Sequence, residues 1–474
     1  MRQLARRLLE SMDSTFVTGG GGVGKTRLLR TVAEQFQVSR RGASMGLRVA
    51  APTCVASATA GGVTIHAFLR LPARCFDYKV TEKEDAVRIY AEMDQKTKQR
   101  LAVTELLLVD EVSMVSSRMF TVLVHCMDAA RIEFPRAMPW RMIAFGDFYQ
   151  LPPVYSAENA DIVLDAEAGF AFESPSWNGL YKSSVLELTY VWRQEDAAFI
   201  GMLGELRVGV VSSRLLTFME ERMAAYRKES QSSRFSQDVT HIFARCEDVS
   251  KHNSQCLEET ERATGSGRAK YKAIDQAMGV TMTDMALKEA LDVALLVPFI
   301  LEVCAGARVA MCSNSLKHKG VHNGTVGVVV RFENCHNSAL LSLGVDKVPV
   351  VRFESMKGTA VTTAIMPELL KLESVTQRGP YAQRLQVPLM LAWAVTVHRV
   401  QGLSLDRAVL DLGRCFKAGM VYVALSRVRS MNGVCVKSFV PSKVIADATV
   451  QAFYALQEGK DENIWRLSFC RHAQ

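Results

Sequence analysis

One glycine-rich stretch near the start of the chain constrains its fold more than any other feature. Residues 16–30 read Phe-Val-Thr-Gly-Gly-Gly-Gly-Val-Gly-Lys-Thr-Arg-Leu-Leu-Arg and fit the pattern G-x-x-x-x-G-K-[ST] from Gly19 to Thr26. The apolar residues before the loop predict a strand, and the apolar spacing after it predicts a helix. A flexible glycine turn is the alternative interpretation, but the Lys-Thr pair and the flanking elements favour a phosphate-binding loop.

The chemistry of this loop predicts a site for ATP and Mg²⁺. Glycines allow the backbone N–H groups to turn toward phosphates, and the N-terminus of the following helix adds its positive dipole end. Lys25 supplies a positive charge, and Thr26 supplies a hydroxyl ligand for Mg²⁺. The predicted nucleotide-binding residues of the loop are Gly19, Gly20, Gly21, Gly22, Val23, Gly24, Lys25, Thr26 and Arg27.

Two later apolar runs end in polar residues of the same kind. Asp110 and Glu111 follow the run 106–109, and the run 142–145 leads to Gly146-Asp147, with Gln150 soon after. Because the carboxyl ends of parallel strands meet at one sheet edge, these groups are expected near the phosphate loop. One carboxylate can hold Mg²⁺ and the other can orient the attacking water, while the Gln150 amide can bond the γ-phosphate or that water. Solvent-facing acids at strand ends are the alternative.

Length, charge and cysteine usage limit the class of protein. The 474 residues suffice for two or three domains, and the net charge of +8 suits a polyanionic partner. The 11 cysteines contain no Cys-x-x-Cys pair, which indicates reduced thiols and no zinc site. No apolar run reaches the ~18 residues that a membrane span needs. The Arg-rich start resembles an organelle presequence, but the phosphate-loop strand follows it at once. A structural helix, or a true start further upstream, is therefore expected.

The pattern of elements changes along the chain. Strands and helices alternate at first, which predicts a parallel sheet with crossover helices. Residues 258–290 have a helical, polar pattern with a break at Gly265. Short β segments with Gly and Asn turns then predict a small β module at about 301–386, before the α/β pattern returns. The tail 441–474 is predicted to form a helix and an irregular end.

The order of the motifs is more specific than any one of them, and it resembles the PIF (petite integration frequency) DNA helicases of superfamily 1B. The similarity covers nearly the whole chain and includes 306–311, 321–329 and 384–394 in and beside the β module. After the phosphate loop, the motifs are Ala51-Pro-Thr, Thr64-Ile-His-Ala-Phe, Val109-Asp-Glu-Val-Ser-Met, Gly146-Asp-Phe-Tyr-Gln-Leu-Pro-Pro-Val, Val191-Trp-Arg-Gln, Val397-His-Arg-Val-Gln-Gly and Tyr422-Val-Ala-Leu-Ser-Arg.

The resemblance implies an α/β fold of two RecA-like parallel-sheet cores, with a small SH3-like β module inserted in the second. The first core would span 1–196, the second 197–300 and 387–440, and the module 301–386. The implied activity is ATP-dependent 5′-to-3′ translocation on single-stranded DNA with duplex unwinding. Its setting would be replication, repair, recombination or telomere maintenance, in the nucleus or mitochondrion. The expected partners are single-stranded and forked DNA and replication or repair proteins, and a monomer without membrane attachment is expected.

The resemblance also implies roles for individual side chains. Asp110 matches the metal residue, Glu111 the general base and Gln150 the γ-phosphate sensor. Arg193 and Arg427 match the two arginines that reach the γ-phosphate. Further ATP-binding positions are Gln3, which matches the adenine-reading glutamine, with Gln401 and Gly402. The single-strand track would comprise Thr53, His66, Phe68, Thr396 and His398, although His and Phe are also common core residues.

Two departures from the family pattern and three alternatives remain at this point. Arg399-Val400 replaces the usual Lys-Ser pair, which keeps the charge but removes a hydroxyl, and the stretch 117–140 lacks the usual Gly-Gly-x-Gln approach. A RecD-like translocase subunit would share the phosphate site, and an ATP-switched nucleic-acid clamp would bind without unwinding. A small-molecule kinase is disfavoured by the length and by the second α/β core.

Overall fold

The chain folds into two compact units. The computed structural model describes residues 1–39, 46–71, 76, 80–153, 169–181, 184–230, 239–278, 283–295, 297–354, 360–373, 380–458 and 464–467. Val154 of the Gly-Asp motif and the end of the tail lie outside these ranges. The first unit comprises Met1–Arg227 and Val397–Gln474, and the second comprises Lys228–Thr396. The core and module boundaries expected from the resemblance stay predictions.

Helices and strands alternate along most of the described chain. The α-helices are α1 (Arg2–Glu10), α2 (Lys25–Ser39), α3 (Cys54–Ala60), α4 (Ile65–Leu69), α5 (Glu82–Glu92), α6 (Gln95–Ala102), α7 (Ser117–Glu133), α8 (Pro175–Tyr181), α9 (Ala197–Arg207), α10 (Ser213–Glu229), α11 (Cys246–Thr264), α12 (Asp284–Ala294), α13 (Ser338–Ser342), α14 (Val397–Val400), α15 (Met420–Ser426) and α16 (Ala448–Glu458). The strands are β1 (Thr15–Thr18), β2 (Leu47–Ala51), β3 (Val63–Thr64), β4 (Leu106–Val109), β5 (Arg141–Phe145), β6 (Val185–Leu188), β7 (Thr240–Phe243), β8 (Ala269–Lys272), β9 (Ile274–Ala277), β10 (Ile300–Val303), β11 (Arg308–Met311), β12 (Val326–Asn334), β13 (Lys347–Glu354), β14 (Ala360–Ala364), β15 (Glu368–Glu373), β16 (Pro380–Gln386), β17 (Leu389–Leu391), β18 (Ala394–Thr396), β19 (Ala408–Asp411), β20 (Val434–Ser438) and β21 (Ile464–Leu467).

A parallel sheet of seven strands, in the order β21-β6-β1-β5-β4-β2-β3, forms the centre of the first unit. Every residue of β1, β4 and β5 is buried, as expected of strands covered by helices on both faces. This arrangement confirms the α/β pattern predicted from the sequence. The edge strand β21 lies in the tail that was expected to be irregular, so that part of the expectation is wrong.

Two apolar layers cover this sheet. On one face, α1 packs against α2, and Leu4, Leu8 and Leu28 belong to the same buried cluster as the strand residues Leu106 and Leu108. The other layer is aromatic: Phe16 on β1 and Phe148 both contact Trp177 of α8 and Phe453 of α16. The tail helix α16 is therefore part of the first core.

Side-chain caps define several helix starts. The Thr81 and Glu84 side chains form a capping box at α5, and the Ser116 hydroxyl accepts from the Met119 N–H at α7. Such caps satisfy backbone N–H groups that have no partner within the helix. Helices α5 and α7 lie side by side in the first unit.

The second unit contains the predicted β module. Five antiparallel strands pair in the order β14-β13-β12-β11-β17, with a buried core that includes Val309, Val351 and Phe353. Three more antiparallel strands pair as β15-β16-β9, and β10 pairs with β8. The parallel strands β18 and β7 also belong to this unit. The β module expected from the sequence is confirmed.

The helical prediction for 258–290 is only partly right. Helix α11 ends at Thr264 and is capped by Gly265 in the left-handed conformation, in agreement with the predicted break. Beyond it, 269–277 forms β8 and β9, because each pairs with a strand distant in sequence. Such long-range pairing overrides local helix preference.

No helix in the described part of the chain is long and apolar enough to cross a membrane. This agrees with the hydropathy of the sequence.

Candidate nucleotide site

The phosphate loop follows β1 and is shaped by backbone that only glycine tolerates well. Gly19 has a φ of +130°, and a Cβ atom there would lie 2.2 Å from the carbonyl oxygen of Leu188. Lys25 opens α2 and is 8% exposed, and its Nζ donates to the carbonyl oxygens of Gly19 at 2.7 Å and Gly20 at 3.0 Å. The loop therefore curls around a buried ammonium group. Burial lowers the pKa of Lys25, while Asp147 and Glu111 oppose this shift by their charges.

The carboxylates predicted after β4 lie at this loop. The Thr26 hydroxyl donates to Oδ2 of Asp110 at 2.8 Å, which joins the two oxygen groups expected to hold Mg²⁺. Asp110 is 2% exposed, and burial together with the charge of Glu111 raises its pKa. A pair of buried carboxylates is costly unless positive charge compensates it. Lys25 supplies part of this compensation, since the charges of both carboxylates act on it.

Glu111 is held in an unusual conformation. Its φ of +50° lies in the left-handed region, where a residue other than glycine costs on the order of 1–3 kcal/mol. Its N–H donates to Oδ1 of Asp110 at 3.0 Å, and its Oε2 accepts from Nε2 of Gln401 at 3.0 Å. The strained backbone and the glutamine together fix the direction of the carboxylate. Such strain occurs mainly at functional sites.

The two predicted arginines lie together beside the loop. Arg193 donates through Nη1 to the carbonyl oxygen of Ser426 at 2.9 Å, and through Nε to Oγ of Ser404 at 2.8 Å. Arg427 is 1% exposed, and a Cβ atom at Gly21 would lie 3.3 Å from its Nη2. Burial and the charge of Arg427 lower the pKa of Arg193 to about 9. A half-buried and a fully buried guanidinium group thus lie beside the phosphate loop, an arrangement that favours binding of an anion.

Three glutamine side chains around the site each have a buried oxygen without a hydrogen-bond partner among the described residues. They are Gln150, Gln194 and Gln401, which are 3%, 1% and 5% exposed. Gln401 uses its amide N–H for Glu111, and Gln194 uses its own for carbonyl oxygens of Ser426 and Val428. A buried oxygen without a donor is costly, so these groups indicate water or ligand in the site.

The remaining predicted nucleotide positions are spread along the first unit. Gln3 is exposed on α1, and the Cε atom of the neighbouring Met1 would lie 2.8 Å from a Cβ atom at Gly24. Arg27 lies on α2 with its guanidinium 6.0 Å from the ring of Trp192. Gly402 has a φ of +83° just after Gln401. An adenine-binding role for Gln3 stays a prediction.

Sequence reasoning missed three side chains at this site. The Tyr422 hydroxyl accepts from the Gly21 N–H at 2.6 Å, and Trp192 lies next to Gly24 and Arg27. Tyr422 opens the Tyr-Val-Ala-Leu-Ser-Arg motif and Trp192 directly precedes Arg193, so their motif positions were available signals. Arg207, which pairs with Asp147, lies in no motif considered above.

The residues predicted to line a DNA track occupy different environments. The Thr53 hydroxyl accepts from the Ala56 N–H at 3.2 Å, and burial lowers the pKa of His66. Phe68 is 2% exposed, with the Arg100 guanidinium 5.9 Å from its ring, which favours a core role. Burial lowers the pKa of His398 to about 4, so this side chain is neutral at pH 7.

Thr396 ends β18 in the second unit and is 7% exposed. The DNA-binding roles of all five residues stay predictions.

Known proteins with similar sequences and folds are DNA helicases. The family model described as PIF1-like helicase matches residues 4–213. ATP-dependent DNA helicase PIF1 of Mus musculus is 31% identical over 461 residues, which cover 96% of this chain and 62% of that protein. This chain is similar over nearly its whole length to PIF1 helicases. It spans about 62% of the length of the first curated relatives that it matches.

Solved structures of PIF1-like helicases confirm the fold class. The crystal structure of Pif1 helicase from Candida albicans has a TM-score of 0.79 at 27% identity, covering 96% of this chain and 98% of that one. The Bacteroides Pif1 helicase in complex with ADP-AlF3 and ssDNA has a TM-score of 0.68 at 25% identity, covering 98% and 97%. The RecA-like cores with a small β module, expected from the sequence, are thereby confirmed.

Proposed function

We propose that this protein is an ATP-dependent DNA helicase that moves 5′ to 3′ on single-stranded DNA and unwinds duplexes. The observation that carries the proposal is the meeting of Lys25, Glu111 and Arg427 around one loop, although Arg427 lies about 400 residues after Lys25 in the chain. The names of the relatives and the complex of Bacteroides Pif1 with ADP-AlF3 and ssDNA support it.

Hydrolysis follows from the groups that face the loop. Lys25 binds the phosphates, and Glu111, directed by Gln401, accepts a proton from the attacking water. Arg193 and Arg427 stabilise the charge that develops on the transferred phosphoryl group. Arg427 directly follows α15. Movement of α15 toward bound ATP would therefore bring this arginine to the phosphates and couple hydrolysis to a conformational change.

Thr26 and Asp110 are the residues that would hold Mg²⁺. Their hydroxyl and carboxylate oxygens are hard ligands, and Mg²⁺ usually keeps several waters and needs few protein ligands. Among the described residues no cluster of three His, Cys, Asp or Glu side chains could hold a metal, which agrees with such a sparse site. The ion would offset the charge of the phosphates.

The proposed partners are single-stranded and forked DNA, with replication or repair proteins, and the protein is proposed to act as a monomer. Thr53, His66, Phe68, Thr396 and His398 are the proposed track, where hydroxyl groups would meet phosphates and rings would meet bases. The net charge of +8 favours a polyanion. Nucleus or mitochondrion is the proposed compartment, and replication, repair, recombination or telomere maintenance the proposed setting.

The test compares wild type with Lys25→Ala in DNA-stimulated ATPase and forked-duplex unwinding assays. We expect Lys25→Ala to lose at least about a hundredfold in ATPase rate, because the phosphates lose their buried charge. Lys96→Ala is the matched control, since Lys96 is exposed on α6, away from the loop motifs.

Three outcomes would contradict the proposal. Near wild-type ATPase in Lys25→Ala would refute the assignment of the loop. ATP binding by wild type without turnover would favour the nucleic-acid clamp. Unwinding that occurs only with added subunits would favour the RecD-like alternative.

A further inference from the structure

Asp147 is a fully buried carboxylate that the roles above leave unexplained. It follows β5 in the Gly-Asp motif and is 0% exposed. Arg207, the last residue of α9, donates to it through Nη2 at 2.8 Å and through Nε at 3.1 and 3.2 Å. Arg207 thus binds both carboxylate oxygens, the two-pronged arrangement in which a guanidinium binds a carboxylate most strongly.

Two aromatic rings hold the Arg207 guanidinium in place. Its Cζ lies 4.8 Å from the ring centre of Tyr149 and 5.5 Å from that of Tyr454, and these two rings stack at 4.9 Å. The Tyr454 hydroxyl bonds Oγ1 of Thr18 at 2.8 Å and accepts from the Phe148 N–H at 3.2 Å. Helix α16 therefore contacts the strand before the phosphate loop, the Gly-Asp motif and Arg207 through one side chain.

Asp147 in turn contacts Gln150. The Gln150 N–H donates to the Asp147 carbonyl oxygen at 2.9 Å, and its Nε2 donates to Oδ2 of Asp147 at 3.4 Å. An ionised carboxylate only accepts hydrogen bonds, so it selects the amide orientation that directs Nε2 toward it. The opposite atom, Oε1 of Gln150, is buried without a partner among the described residues and can accept from a water.

Removing Arg207 would leave a buried carboxylate without its ion-pair partner, which is strongly destabilising. An uncompensated Asp147 would attract another cation. Lys25 is within its electrostatic reach, since Asp147 has the largest charge effect on that lysine. Asp147 and the phosphates would then compete for the Lys25 ammonium group.

We propose that Arg207 is a positioning residue of the nucleotide site, which neutralises Asp147 so that Asp147 orients the Gln150 amide and leaves Lys25 to the phosphates. Tyr149 and Tyr454 fix the guanidinium in that position. The expected effect on kcat rests on the proposed function. The expected effect on the Kd of the nucleotide requires only that the phosphate loop binds ATP.

The test is a charge cycle with four variants: Arg207→Met, Arg207→Lys, Asp147→Asn and the double variant Asp147→Asn/Arg207→Met. The readouts are the Kd of a fluorescent ATP analogue and the kcat and KM of DNA-stimulated ATPase. We expect Arg207→Met to raise the Kd about tenfold, because Asp147 then competes for Lys25. Arg207→Lys keeps the charge but loses the two-pronged contact and the stacking, so its Kd should lie between those of wild type and Arg207→Met.

The double variant separates charge from packing. Removing both charges should return the Kd to within about threefold of wild type, while kcat stays about tenfold low because the Gln150 amide has lost its fixed acceptor. A purely structural role predicts that the double variant is as impaired in Kd as Arg207→Met, and that result would overturn the inference. Wild-type Kd and kcat in Arg207→Met would also overturn it.

The design remains decisive in two other cases. If Arg207→Met does not fold, the Arg207→Lys and double variants still test the role of the charge. If wild type binds the analogue without turnover, the helicase proposal fails, and the Kd values alone still decide whether Arg207 acts on the nucleotide site.

Discussion

Replacement of Gln401 by Ala would test how the proposed general base, Glu111, is directed. Gln401 is 5% exposed, and its amide donates to Glu111 Oε2 at 3.0 Å. A hydrogen bond to a charged group contributes about 1.5–3 kcal/mol. If it directs the carboxylate in the transition state, its loss lowers kcat by about ten- to a hundredfold, at ~1.4 kcal/mol per factor of ten. ATP binding should change little, because Lys25 and its loop contacts stay intact.

The assay measures kcat and KM of DNA-stimulated ATPase for Gln401→Ala, Glu111→Gln and the double variant. Gln401 is expected to act through Glu111. The double variant should therefore have a kcat less than about threefold below that of Glu111→Gln alone. Gln451→Ala is the matched control, because the exposed Gln451 amide bonds the carbonyl oxygen of Val208 at 3.3 Å. A kcat for Gln401→Ala within twofold of wild type, or full additivity with Glu111→Gln, would refute the reasoning.

Three further predictions concern other positions of the first unit. Gly22→Ala should weaken binding of a fluorescent ATP analogue about tenfold, because Gly22 has a φ of +86° and its new Cβ would lie 2.8 Å from Cβ of Arg193. Gly179→Ala, in open space within α8, should bind the analogue like wild type, and equal losses would contradict the steric argument. Trp177→Ala should destabilise the fold by about 3–5 kcal/mol, because Trp177 is 2% exposed, and an unchanged midpoint in urea unfolding would count against this. His398 stays neutral in the folded state down to its pKa of about 4, whereas in the unfolded chain it is protonated below about 6.5, so stability falls as the pH falls between these values. Between pH 7 and pH 5, the free energy of unfolding measured in urea should therefore fall by about 2 kcal/mol more in wild type than in His398→Asn. An equal fall in both would exclude protonation of His398 as a source of the pH dependence.

Local patterns predicted the first core well. The phosphate loop, the buried strand before Asp110 and the helix after Thr26 depend on residues close in sequence, and each lies where the motifs place it. The proximity of Arg427 to Gly21 came from motif order, since no local pattern links residues so far apart. The resemblance supplied that long-range information.

The unpredicted features have one physical origin. Strand β21 and the pairing of β8 and β9 depend on partners that are distant in sequence, so local composition carries little signal for them. The same holds for the position of the Arg207 side chain, which depends on contacts with Tyr149 and Tyr454.

Phe68 illustrates the opposite difficulty. A Phe after a turn has the chemistry of a base-stacking residue and of a core residue, and only its 2% exposure favours the second.

The last helix and strand of the first unit are also the last to be synthesised. The nucleotide loop near residue 20 is complete at once, but α16 and β21 follow only after the whole second unit, Lys228–Thr396, has been synthesised. At roughly 5–20 residues per second, that interval lasts on the order of ten seconds or more. During it, β6 presents an unpaired edge and the rings of Phe16 and Phe148 lack Phe453. The nascent chain therefore exposes a strand edge and an aromatic surface, both sites of aggregation, until its tail has been made.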